Sequence, residues 1–228
     1  MTGMESRLRF VAALVGLAAL TLAPCASPAQ VRKTKDGYLL RMKWTKGATY
    51  SYDIAITTEL SPGQTLPINT KSSMKVLSVS AGVATVELTV PDLTSGEAVT
   101  QTLKADGLGF MGEDGATGAA GGPRLPKKAV RPGDSWTTET SHDIMGMSVT
   151  MTTVYTFTGL ERIDDVPCVV LTLKTSASTQ MLNVNGTGTT YVETRNGQVY
   201  KSELNNVISI VSGGQTLTLP NKVVVVRT

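Results

Sequence analysis

Histidine, cysteine, aromatic side chains and long apolar runs are all scarce in this 228-residue chain, and each scarcity removes a class of protein. The only histidine is His142, so a multi-histidine metal site is excluded, and no D-x-D-x-D-G loop offers carboxylate calcium binding in its place. The longest largely apolar run, Phe10 to Leu22, has 13 residues, too few to cross a hydrocarbon core of roughly 30 Å as a helix. Charged residues make up 17% of the chain with a formal net charge of +3. The densest basic patch is Lys127-Lys128 with Arg124 and Arg131, beside a proline-rich stretch, which reads as a solvated connector and gives nucleic-acid binding no footprint. No segment after residue 29 sustains a helical apolar period.

What is present begins with compartment. Arg7 and Arg9 precede the apolar run, and Ser27-Pro28-Ala29 sets small residues two apart before Gln30, the layout of a secretory signal peptide. Residues 1–29 are expected to be removed, leaving 199 residues over 30–228 with no transmembrane span. Leu22-Ala23-Pro24-Cys25 has the spacing of a bacterial lipoprotein signal, with Cys25 as the residue lipidated, but Pro24 stands where Gly, Ala or Ser is usual. Cleavage after Ala29 is therefore the favoured processing, and a lipid anchor at Cys25 the alternative. Under the favoured processing Cys168 is the sole cysteine and no intramolecular disulfide can form. It sits in Val166-Pro167-Cys168-Val169-Val170, where a buried, inert thiol is expected.

The mature chain reads as strands. Tyr50, Tyr52, Ile54 and Ile56 alternate with Ser51, Asp53, Ala55 and Thr57, and Val149, Met151, Tyr155 and Phe157 share a face opposite Thr150, Thr152, Thr156 and Thr158. Threonine on the wet side suits an antiparallel sheet. Asp106-Gly107 and Asn196-Gly197 predict hairpins with type I′ turns, and Ser80-Ala81-Gly82 and Asp164-Asp165 two more.

The motifs recur in order. Lys46-Gly47-Ala48-Thr49-Tyr50 matches Pro132-Gly133-Asp134-Ser135-Trp136, and Val83 to Val90 matches Val166 to Leu173, aligning Val86, Leu88 and Val90 with Val169, Leu171 and Leu173. Asp106-Gly107-Leu108-Gly109-Phe110 then matches Asn196-Gly197-Gln198-Val199-Tyr200, the three offsets being 86, 83 and 90 residues. Two similar meander halves are predicted, about 38–110 and 127–228, joined by a glycine-rich connector over 111–126 that reads as flexible or as a long exposed loop. The expected fold is all-β and antiparallel, the halves forming a sandwich or a strongly curved half-barrel. With Trp44, Lys46-Gly47, Tyr50, Pro132-Gly133-Asp134 and Trp136, the chain resembles a poorly characterised group of exported bacterial proteins of unknown function with two β-rich halves. That resemblance implies architecture and carries over no catalytic residue.

Chemistry finds little support. Gly133-Asp134-Ser135 resembles the nucleophile block of an esterase and lipase family, and a serine nucleophile needs a base, for which His142 beside Asp143 is the sole candidate. The later blocks are missing and Ser135 aligns with Thr49, so a turn is favoured, with Gly133 placed where a side chain does not fit and Trp136 burying its ring. The glycines from 112 to 122 lack the Gly-Lys-Ser/Thr ending of a phosphate loop. Glu113-Asp114 and Asp164-Asp165 read as solvated turn charges, and Asn185-Gly186-Thr187 is a glycosylation sequon that matters only in a glycosylating pathway. Trp44, Tyr50, Tyr52, Trp136, Tyr155 and Phe157 are expected to pack a core rather than line a ligand cavity. The reading favoured is an exported, non-enzymatic domain of the bacterial periplasm or envelope, without cofactor or metal. It binds an apolar or lipid-like ligand or an envelope protein, through residues the sequence does not identify. A serine hydrolase using Ser135 and His142, or a purely structural envelope protein, is the alternative.

Overall fold

Strands as long as those written into this chain cannot lie flat, because each carries a right-handed twist that accumulates along its length and across its neighbours. The computed structural model describes residues 30–91, 98–111, 123–144, 147–212 and 214–228. The expected signal over 1–29, and most of the glycine-rich connector (112–122) with Glu113-Asp114, lie outside the described residues. Strands β1 (Val31–Thr34) and β2 (Gly37–Leu40) form a small ribbon. The eleven others are β3 (Thr49–Ser61), β4 (Gln64–Ser80), β5 (Val83–Pro91), β6 (Ala98–Asp106), β7 (Gly109–Met111), β8 (Ser135–Ile144), β9 (Met147–Ile163), β10 (Val166–Ser178), β11 (Leu182–Glu193), β12 (Val199–Ser212) and β13 (Gln215–Arg227). They build one antiparallel sheet in the order β7-β6-β5-β4-β3-β13-β12-β11-β10-β9-β8. The fold is thus all-β, and of the two expected shapes it takes the single open, curved sheet rather than the sandwich.

Curvature follows from the core. Val86 and Leu88 of β5 share one buried cluster with Phe157 of β9, although six strands lie between β5 and β9 in the sheet. In a flat sheet those strands would stand roughly 34 Å apart at about 4.8 Å per strand, so the sheet must curl round to bring them together. Irregular register at Val76/Ser78, Val170/Leu171 and Tyr191/Val192 adds local bends. The curl is filled at one end by the segment after β2. Leu40, Met42 and Trp44 are buried there, and the Met42 and Lys43 amides donate to the Gly107 and Asn196 carbonyls, while Trp44 Nε1 donates to the Asp106 carbonyl at 2.6 Å. Gly197 is needed for this approach, since a Cβ at that position would collide with the Arg41 carbonyl.

Consecutive strands β7 and β8 sit at opposite edges, so the chain between them must cross the open side of the curl. Pro123 to Val130 makes the proximal part of that crossing. The Leu125 amide donates to the Leu108 carbonyl, Trp136 Nε1 donates to the Arg124 carbonyl, and Tyr38 pairs with Val130. The basic patch is therefore only partly a solvated connector. Lys127 and Lys128 are exposed, but Arg124 donates to the Asp106 carboxylate and to the Gly109 and Phe110 carbonyls, and Leu125 is buried.

The turns leading into β3 and β8 carry one hydrogen-bond pattern. Gly47 N donates to the Val76 carbonyl, Val76 N to the Ala48 carbonyl and Ala48 N to the Thr45 carbonyl; Gly133, Phe157, Asp134 and Arg131 repeat all three. The type I′ expectation needs correction. Positive φ at two successive residues occurs at Ala81-Gly82 and Asp164-Asp165, whereas at the Asx-Gly pairs the Asp106 and Asn196 side-chain oxygens accept from the Leu108 and Gln198 amides, building Asx turns instead.

Candidate functional site

Directly opposed residues of an antiparallel sheet point to the same face, so the register lets the inward face be read rung by rung. Beside the plug the rungs are apolar: Ile68, Ile56 and Val223 stand in line across β4, β3 and β13, and Leu171 opposes Phe157. The next rung but one from that core changes character entirely. From β3 to β8 it runs Thr58, Asn221, Asn206, Gly186, Thr175, Thr153 and Thr138, with no apolar side chain. Thr153 and Thr175 share a hydroxyl contact of 2.5 Å, and Asn221 Nδ2 donates to Thr58 Oγ1 at 3.3 Å. Asn221 Oδ1 is buried and accepts no hydrogen bond among the described residues.

Further from the plug the face turns apolar again. Leu219, Ile208, Val184 and Ala177 form one rung, and Leu217, Ile210 and Leu182 the next. Val149, Ala177, Leu182 and Val184 are buried in a second cluster, separate from the plug's, with Met151, Ile208 and Ile210 packed against it. On the same face Leu217 stays open at 53% exposure, and Leu66, at 46%, stands opposite Thr58 where the polar rung ends on β4. No Lys, Arg, Asp or Glu stands on these distal inner rungs among the described residues. Covering one large aliphatic side chain fully is worth about 1.5–3 kcal/mol, so the open rungs form a surface that gains from an apolar occupant. The opposite face carries a shallow groove of about 730 Å³ whose rim includes Lys174, Lys222, Asn205 and Thr187.

Ser135 and His142 are not brought together. Ser135 begins β8, exposed, with Oγ 2.7 Å from Thr156 Oγ1, and His142 lies seven residues along the same strand opposite Val149. At about 3.3 Å per residue they are roughly 23 Å apart, beyond any nucleophile-to-base hydrogen bond. Gly133 has φ of +97° with open space where a Cβ would stand, so glycine is selected by backbone sign, contrary to the expected crowding. Trp136 is only half-buried, stacked on Tyr155 with ring centres 5.6 Å apart.

Packing accounts for the other aromatics. Trp44, Tyr52 and Phe157 are core residues and Tyr50 packs against them. Desolvation holds the Tyr52 hydroxyl far above its ordinary range and pushes Tyr155 up to about 12. Cys168 is buried, its thiol pushed up to about 11, chiefly by desolvation and then by nearby Glu193, so it is a poor nucleophile near neutral pH. Asn185 is exposed on β11 and donates to Asn183 Oδ1 at 2.6 Å.

No family model matches the chain, and no curated protein matches it. Among solved structures it is similar to the hypothetical lipoprotein YmcC of Escherichia coli K12, at 15% identity over 78% of this chain and 84% of that one, with a TM-score of 0.33. It is also similar to a DUF1329 family protein from Desulfovibrio piger, at 10% identity over 80% and 84% with a TM-score of 0.22. A LolA superfamily protein from Nitrosomonas europaea is 12% identical over 82% and 86%, with a TM-score of 0.20. None of these similarities assigns a role to any residue.

Proposed function

We propose that the chain is an exported, non-enzymatic β-domain of the bacterial envelope that holds an apolar, lipid-like ligand on the distal inner face of its sheet. One observation carries this reading: the inner face passes from a plug-filled core, through a threonine and asparagine rung, to a second, separate apolar cluster beside which Leu217 stands open at 53% exposure. The polar rung suits a ligand's polar group, and the rungs around Ile208 and Leu219 suit its hydrocarbon. The layout of residues 1–29 supports export, with cleavage after Ala29 or lipidation at Cys25 as the two processing routes.

The repeated hydrogen bonds at Gly47 and Gly133, and the matched Asx turns at Asp106 and Asn196, support reading the sheet as two copies of one meander. The hydrolase reading requires Ser135 and His142 to meet, and their separation along β8 stands against it. A purely structural role leaves the open apolar rungs without an occupant. Organic-solvent extraction of protein purified from its exporting compartment, followed by mass spectrometry, should release an apolar species in roughly stoichiometric amount. Protein free of any such species would count against the reading.

A further inference from the structure

Four hairpins, β3–β4, β8–β9, β10–β11 and β12–β13, turn at the same end of the sheet, remote from the plug. Their turn-side segments contain no Asp, Glu, Lys, Arg or His over Leu60 to Thr70, Ile144 to Leu160, Thr175 to Val192 and Asn205 to Asn221. In a chain with 17% charged residues, four such blanks meeting at one end are a feature of the surface rather than of composition. That end also exposes large apolar side chains: Leu60, Leu66, Met181, Val211 and Leu217 are between 39% and 53% exposed. Single exposed leucines are ordinary, but a charge-free end carrying five such residues marks an interaction surface.

We infer that this end docks on a lipid bilayer, with the hairpin turns entering the boundary between headgroups and acyl chains. Leu60, Leu66, Val211 and Leu217 stand at the turn-side ends of four different strands and Met181 between β10 and β11, so the exposed apolar side chains are spread along the whole end rather than gathered in one patch, which favours a fluid surface. The turn at Thr179 is held by its own hydroxyl, which accepts from the Met181 and Leu182 amides, and the Val211 amide donates to the Met181 carbonyl, so Met181 and Val211 are presented together. Charge complementarity supplies the second argument. Lys174 and Lys222 lie on one outer rung, with Thr187 and Asn205 between them, and neither has an ion-pair partner among the described residues. Lys174 stands five residues, roughly 17 Å along the strand, below Thr179, and its long stem reaches toward phosphate groups when the turns are inserted. The exceptions to this pattern are Glu59 on β3, Asp143 on β8, and Asp92 and Glu97 in the sequence between β5 and β6, which turn back in the same direction.

This goes beyond ligand binding and does not depend on it. The test is co-flotation of residues 30–228, which lack both the apolar run of the expected signal and Cys25, with vesicles of phosphatidylcholine alone or mixed equally with phosphatidylglycerol. The chain should float with both, more strongly with the anionic mixture. Met181→Asp with Val211→Asp should lower partition about tenfold or more on both while leaving thermal unfolding unchanged, since both side chains are exposed. Lys174→Gln with Lys222→Gln should weaken only the anionic case, and only at low salt. A chain that floats with neither vesicle, or a double aspartate variant that floats as before, overturns the inference. So does loss of self-association in that variant, seen by sedimentation, when the parent chain ignores vesicles, because the surface would then serve a second copy.

Discussion

Cys168 shows how one side chain reports on the sheet that holds it. Burial at its place on β10 disfavours the thiolate first, and the carboxylate of Glu193, opposite it on β11, adds to the effect. Its folded pKa of about 11 stands above the 9.0 of an unperturbed thiol, so the native state holds its proton where the unfolded chain releases it. The group's contribution to stability is therefore fully present below about pH 9 and is lost as pH rises through 11. Tyr155, raised to about 12, extends the same loss upward. Thermal unfolding should be insensitive to Cys168 ionisation at pH 7 to 8 and fall steadily from about pH 9 to 11. A Cys168→Ala variant with a shallower decline would confirm the assignment, and an unchanged decline would remove it.

At the scale of elements, alternation was the legible signal and topology was not. Tyr50 to Thr58 and Val149 to Thr158 disclose their faces because a strand repeats every two residues, and both form long strands with the apolar set turned inward. The plug was missed because Leu40, Met42 and Trp44 alternate as a strand would, yet β2 ends at Leu40 and the Met42 and Lys43 amides bond to the carbonyls of the turns at Gly107 and Asn196 instead of to a sheet neighbour. The polar rung was equally hidden, since its residues come from seven strands and one residue of each carries no pattern until register aligns them. The glycine turns were legible as a repeated motif, and their matching bonds make a prediction. Gly47 and Gly133 both hold positive φ with open space around a would-be Cβ, so alanine at either should destabilise by about 1 kcal/mol through backbone conformation alone. Chemical denaturation of the two variants should give similar losses. A loss at one and none at the other would contradict the equivalence of the two turns.

The whole molecule is an asymmetric sheet, closed by its own chain at one end and open at the other. The plug and the crossing segment near Leu125 occupy the proximal curl, and the distal rungs hold a second apolar cluster with Leu217 open beside it. The alternation of aliphatic and hydroxyl residues is the same at both ends and does not disclose that division, and the charge-free blocks that mark the distal end gain meaning only once the topology gathers them. The most direct test is a titration of delipidated protein with a fluorescent acyl-chain probe, run in parallel on Ile208→Gln and Ser135→Ala. Saturable binding by the parent chain, weakened about tenfold in Ile208→Gln and untouched in Ser135→Ala, is the result expected if the apolar rungs are the site. Binding that ignores Ile208→Gln, or no saturable binding at all, would contradict a ligand on the distal inner face.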